Sequence, residues 1–99
     1  MLKVMPGSLE TRAEGLLFQC HYLEQPVQCG ILDVALRDLL DFHRVKSTQD
    51  QAFGVILREI ERLVNAKFSA NRFEENGWLI IWPADLLRYG YQERATSAA

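Results

Sequence analysis

From Gln49 to Phe68 apolar residues return at the spacing of one helix face: Phe53, Ile56, Leu57, Ile60, Leu63, Val64 and Phe68 make a stripe over about five turns. Arg58, Glu59, Glu61, Arg62 and Asn65 fill the opposite side. The segment therefore predicts an amphipathic helix that lays one face on the rest of the chain. Two overlapping capping boxes, Ser47 with Asp50 and Thr48 with Gln51, predict its start near Gln49.

Earlier in the chain the period is two. Leu16, Phe18, Cys20 and Tyr22 alternate with Leu17, Gln19 and His21, and Val27, Cys29 and Ile31 alternate with Gln28 and Gly30. This pattern predicts two strands joined by a four-residue connection, Leu23 to Pro26. Closing Tyr22 opposite Val27 sets Cys20 against Cys29 and Phe18 against Ile31 on one face, with Gln19, His21 and Gln28 on the other. Asp33 is a good N-cap, and Leu32, Ala35, Leu36, Leu39 and Leu40 then predict a shorter helix ending near Phe42 or His43. A short polar link, 43–48, makes the two helices neighbours on one sheet face.

Asn76-Gly77 between two β-prone runs predicts a second hairpin. With Glu75 opposite Trp78, Phe73 and Ile80 face the core, while Leu79 and Ile81 face away. Pro83 closes that strand, and Ala84 to Arg88 suffices for one helical turn. The fold expected is α+β, a two-layer antiparallel four-stranded sheet in ββααββ order with two helices on one face. Its expected organisation is an N-terminal arm (1–14), a single domain (15–88) and a flexible C-terminal tail (89–99).

The 99 residues suffice for a core without metal or disulfide support. A net charge of -2 supplies no basic footprint and disfavours nucleic acid. No apolar run has signal-peptide or membrane-span length, so a soluble cytoplasmic protein with no membrane association is expected. Two cysteines in that compartment read as buried thiols, with a cross-strand Cys20–Cys29 disulfide as the alternative that the expected register allows.

Gly15-Leu16-Leu17-Phe18, Val27-Gln28-Cys29-Gly30-Ile31 followed by Ala35-Leu36, Ala52-Phe53, Ile60-Glu61, Lys67-Phe68 and a hydrophobic strand followed by Asp85 together resemble domain of unknown function 1488, a group of small bacterial proteins. The resemblance covers about residues 11 to 86. Where that pattern carries an arginine in the long helix, this chain has Leu57 with Arg58 beside it. The resemblance implies a small cytoplasmic α+β domain and transfers no catalytic residue.

Cysteine and histidine are the usual zinc ligands, so Cys20, Cys29, His21 and His43 are the metal candidates. Cys20 and His21 are adjacent in a strand and point to opposite faces, and C-x-x-C is absent, so no metal site is expected. No cofactor and no catalytic residue is expected either. Glu59 and Glu61 point about 200° apart on a helix, and no phosphate loop, Ser-His-Asp order or H-E-x-x-H occurs. His43 at a helix end reads as a cation on the dipole. Arg58 and Arg62, with Arg44, Lys46, Lys67 and Arg72, are the residues that weak nucleic-acid binding would use; Glu59 and Glu61 interleave with them.

The outer sheet face carries the most information. Leu17, Leu79, Ile81 and Trp78 form the candidate interaction patch there, with Trp82 at its margin. Either the patch takes a second copy or another protein, or the N-terminal arm through Leu2, Val4 and Met5, or the tail around Leu87 and Tyr89, covers it. The leading reading is a non-enzymatic protein-interaction or homodimerising module. The alternative is a small ligand-binding protein or enzyme with a pocket between sheet and helices, and weak nucleic-acid binding comes third.

Overall fold

The computed structural model describes residues 1–90. Along them run β1 (Lys3–Val4), β2 (Glu10–Arg12), β3 (Gly15–Tyr22), β4 (Gln25–Leu32), α1 (Asp33–Phe42), α2 (Phe53–Ser69), β5 (Leu79–Ile81) and α3 (Pro83–Arg88). The class is α+β. The sheet is mixed and five-stranded, in the order β1-β3-β4-β5 with β2 also on β3, and all its pairs are antiparallel except β4 with β5.

Leu16, Phe18 and Cys20 of β3, Cys29 and Ile31 of β4, and Leu79 and Ile81 of β5 share the inner face and are buried. Against them pack Ala35, Leu36 and Leu39 of α1 and Phe53, Ile56, Ile60, Leu63 and Val64 of α2. Both long helices thus lie on one side of the sheet, as their stripes require.

Four expectations need correction. The first hairpin closes through two residues, Leu23 and Glu24, with Leu23 at φ 57 and Tyr22 opposite Gln25. Cys20 therefore opposes Val27, and Phe18 opposes Cys29. The slip is two residues, an even number, so every side chain keeps its expected face. Pro26 falls inside β4, where it is tolerated because two-residue closure turns its missing N–H away from β3, beyond the reach of the short β5.

The second hairpin does not form. A tight turn does occur at Asn76-Gly77: Gly77 has φ 86, its N–H donates to the Glu74 carbonyl at 2.9 Å, and the Glu74 N–H donates to the Trp78 carbonyl at 2.8 Å. Residues 71–75 then leave the ladder, and β5 adds in parallel to β4 with Cys29, Gly30 and Ile31 beside Leu79, Ile80 and Ile81. Leu79 and Ile81 consequently lie in the core and Ile80 faces outward, the reverse of the expected orientation. Every residue from Trp78 to Trp82 is apolar, so alternation alone could not choose a face.

Residues 1–14 are an edge of the sheet instead of a separate arm. β1 and β2 both pair with β3, one edge strand interrupted around Pro6-Gly7. Ser8 fills the interruption, its hydroxyl accepting the Gln19 N–H at 3.0 Å and donating to the Met5 carbonyl at 2.8 Å. Leu2 is fully buried. The expected flexible tail, from Tyr91 onward, lies outside the described residues.

The long helix starts later than its capping boxes suggest. Asp50 accepts N–H groups from Lys46 (3.0 Å) and Ala52 (2.9 Å), and Ser47 accepts from Gln49 (3.2 Å), so these side chains build a turn ahead of Phe53. The bonds from Ala52 and then Lys46 hold the Asp50 carboxyl below the usual carboxylate range.

One buried ion pair joins the second half of the chain. The Lys67 ammonium donates to Asp85 at 2.7 Å and to the Ile80 carbonyl at 2.6 Å, and the same Asp85 oxygen accepts the Trp82 N–H at 2.8 Å. Both charged side chains are nearly inaccessible, at 5% and 9%. Lys67→Met is expected to cost about 3–5 kcal/mol in urea denaturation because it strands a buried carboxylate, whereas Arg58→Ala on the exposed side should stay within about 0.5 kcal/mol. Gly15 has φ 150, and a Cβ there would run into the Ile31 carbonyl oxygen. Gly15→Ala should therefore destabilise the fold by on the order of 2 kcal/mol or more in the same assay.

Candidate functional site

The registers arrange the outer sheet face in cross-strand rows. The first row runs Arg12, Gly15, Leu32 and, one step past Ile81, Trp82; the second runs Glu10, Leu17, Gly30 and Ile80. Gln19, Gln28 and Trp78 make a third. Each of the first two rows contains a glycine and a leucine on the two central strands. The glycines leave low ground, and Leu17 and Ile80 lean over Gly30, whose absent Cβ would sit 3.0 and 3.1 Å from their methyl carbons.

The result is a groove of about 360 Å³ whose walls include Leu17, Leu32, Ile80, Trp78 and Trp82, with Arg12 and Glu14 at one margin. It lies on the side of the sheet opposite the helices, not between sheet and helices. Neither the N-terminal residues Leu2, Val4 and Met5 nor Leu87 and Tyr89 line it. Leu2 is buried in the core, and Tyr89 packs against it.

Of the four patch residues expected from sequence, the structure brings two to this face. Leu17 is half-buried and Trp78 is 36% exposed, while Leu79 and Ile81 are fully buried on the inner face. Ile80 and Gly30 complete the site and lie outside the expected patch, Ile80 because the assumed hairpin inverted its strand, while Trp82, expected at the margin, is one of its walls. The signal that could have found them is Trp78, Ile80 and Trp82 at a spacing of two, which places both tryptophans of the chain on one face. Trp82 is 45% exposed, and its indole N–H donates to Glu74 at 3.2 Å, which fixes the ring before any partner arrives.

Two of the sheet's edge strands, β1 and β5, are closed by side chains. Ile80 turns its carbonyl away from β4 to Lys67, Trp82 gives its N–H to Asp85, and the Trp78 N–H donates to the Asn76 side chain at 3.0 Å. At the opposite edge Asn65 bonds both backbone groups of Leu2, at 2.7 and 3.0 Å, and Glu61 accepts the Val4 N–H at 2.9 Å. Backbone groups that a further strand would use are thus occupied beside β1 and along β5.

Other candidate chemistry is dispersed. Among the described residues no three histidine, cysteine, aspartate or glutamate side chains gather as a metal site. His21 lies on the outer face and His43 near Glu59, at 3.9 Å. Glu59 pairs with Arg62 at 3.0 Å and Glu61 with the β1 backbone, so the two carboxylates serve different contacts. Lys67 is buried, which removes it from a basic surface, and Arg62 pairs with Glu59 and donates to the Tyr89 carbonyl at 3.2 Å. Among the described residues no helix is long and apolar enough to cross a membrane.

Cys20 and Cys29 are free and fully buried, diagonal neighbours on the inner face. The hydrogen-bonding contact with the Cys20 thiol, then burial, pushes the Cys29 thiol well above its ordinary range, so it stays protonated. Neither thiol is expected to react with Ellman's reagent in the native state, and both should react in guanidinium; fast native labelling would show an accessible, activated cysteine. No family model matches the chain, and no curated protein or solved structure matches it significantly.

Proposed function

We propose that this protein is a non-enzymatic interaction module that self-associates through the outer face of its sheet. The observation supporting this reading is a groove walled by two tryptophans, one of them held by Glu74, on a face that no helix roofs among the described residues, in a sheet whose β1 and β5 edges are already occupied. Rigid aromatic anchors beside a recess are what interface hot spots are made of. In keeping with the resemblance to domain of unknown function 1488, the proposal places the protein in the bacterial cytoplasm.

A second reading has one observation in its favour: the groove's volume falls within the range of about 300–1,000 Å³ common for small-molecule sites. A mainly apolar ligand would then raise the melting temperature of the wild type by mass action and leave an Ile80→Asp variant unmoved.

Sedimentation velocity over a concentration series tests the leading reading. The wild type is expected to shift from monomer towards dimer as concentration rises, and Ile80→Asp to remain monomeric with its circular dichroism intact. Ile81→Asp should unfold the protein, because that side chain is fully buried. A wild type that sediments as a monomer at every concentration overturns self-association.

A further inference from the structure

The outer face has the pattern needed to pair with itself in one particular way. Across its first row the order is Arg12, Gly15, Leu32, Trp82, and across its second Glu10, Leu17, Gly30, Ile80. Reversing either row and laying it on the original sets each glycine against a leucine: Gly15 meets Leu32, and Leu17 meets Gly30. The same reversal brings Arg12 over Trp82, a cation over an indole face. In the third row Gln19 meets Gln28, two uncharged amides able to bond each other.

Resting on the self-association reading, we propose that two copies stack face to face about a two-fold axis parallel to the strands, with Arg12 of each copy on Trp82 of the other. An isologous interface requires one surface to supply both protrusion and recess, and here Leu17 and Leu32 stand beside the groove that Gly15 and Gly30 line. The strands of the two sheets then run nearly aligned, the usual geometry of sheet-on-sheet packing.

Electrostatics favours the second copy as occupant. The groove's charged residues, Arg12 and Glu14, stand at one margin, and at the opposite margin Trp82 stands beside the Glu74 carboxylate that accepts its indole N–H. Reversal therefore brings the Arg12 cation of one copy to the Trp82–Glu74 pair of the other. Arg12 also keeps its 2.6 Å pair with Glu10 inside its own copy. A two-fold axis across the strands through the second row would instead set Glu10 on Glu10 and Gly30 on Gly30.

Crosslinking of mixed variants reads this geometry directly. Arg12→Cys and Trp82→Cys are prepared separately, mixed, and treated with a short bismaleimide; the native Cys20 and Cys29 are buried and stay silent. Covalent dimer is expected from the mixture and from neither variant alone, because like positions are offset sideways by three strand spacings, about 14 Å. As a second measurement that keeps Trp82, Arg12→Glu should weaken wild-type self-association about tenfold, since two cation–π contacts are lost per dimer, whereas Arg58→Glu on the helix layer should not.

A wild type that dimerises but gives no mixed crosslink, or whose affinity ignores Arg12→Glu, overturns the stacking while leaving self-association standing. A wild type that never dimerises removes both. Crosslinking of Arg12→Cys with itself would assign a different axis and likewise overturn the proposal.

Discussion

A single ammonium group organises the second half of this molecule. Lys67 emerges from the buried stripe of α2, bonds the carbonyl of Ile80 and pairs with Asp85 in α3. Placing an ion pair at 5% and 9% exposure costs several kcal/mol per charge in desolvation, and the arrangement is tolerated because the remaining polar groups close around it. The carboxylate also receives the Trp82 N–H. One pair thereby sets where β5 ends, where α3 begins and which way Trp82 turns.

The same helix closes the opposite edge with Glu61 and Asn65, so α2 is more than an apolar lid. Its inner face supplies Ile56, Ile60, Leu63 and Val64 to the core, and its flanks supply the polar groups that saturate β1 and β5. Exposed strand edges invite indiscriminate pairing, and proteins blunt them by covering or charging them. Here the blunting is done from within, and what stays open is a face, a surface whose side chains can discriminate between partners.

The helical stripe, the period-two hairpin and the two-layer arrangement were legible because each rests on a local apolar rhythm. The hairpin register was misjudged since nothing at Leu23-Glu24 resembles the Asn-Gly signal of a two-residue turn, and Leu23 accepts φ 57 without a glycine's freedom. The strand at Leu79 was recognised but assigned to the wrong neighbour: its partner, β4, lies far back in the sequence and leaves no local trace. That error exchanged Ile80 for Leu79 and Ile81 and so misplaced half the candidate site. Lys67 could have been suspected, as a cation at a position where the stripe of Leu63 and Val64 calls for an apolar residue, with Asp85 just beyond a strand end.

Joining β5 to β4 across two helices also bears on how the chain acquires its shape. The β3–β4 hairpin closes through two residues and can form early, whereas the β4–β5 contact must enclose α1 and α2 and carries a larger loop-closure entropy. Because β5 follows both helices in the chain, a nascent polypeptide leaving the ribosome exposes the far flank of β4 until α1, α2 and β5 have all been added.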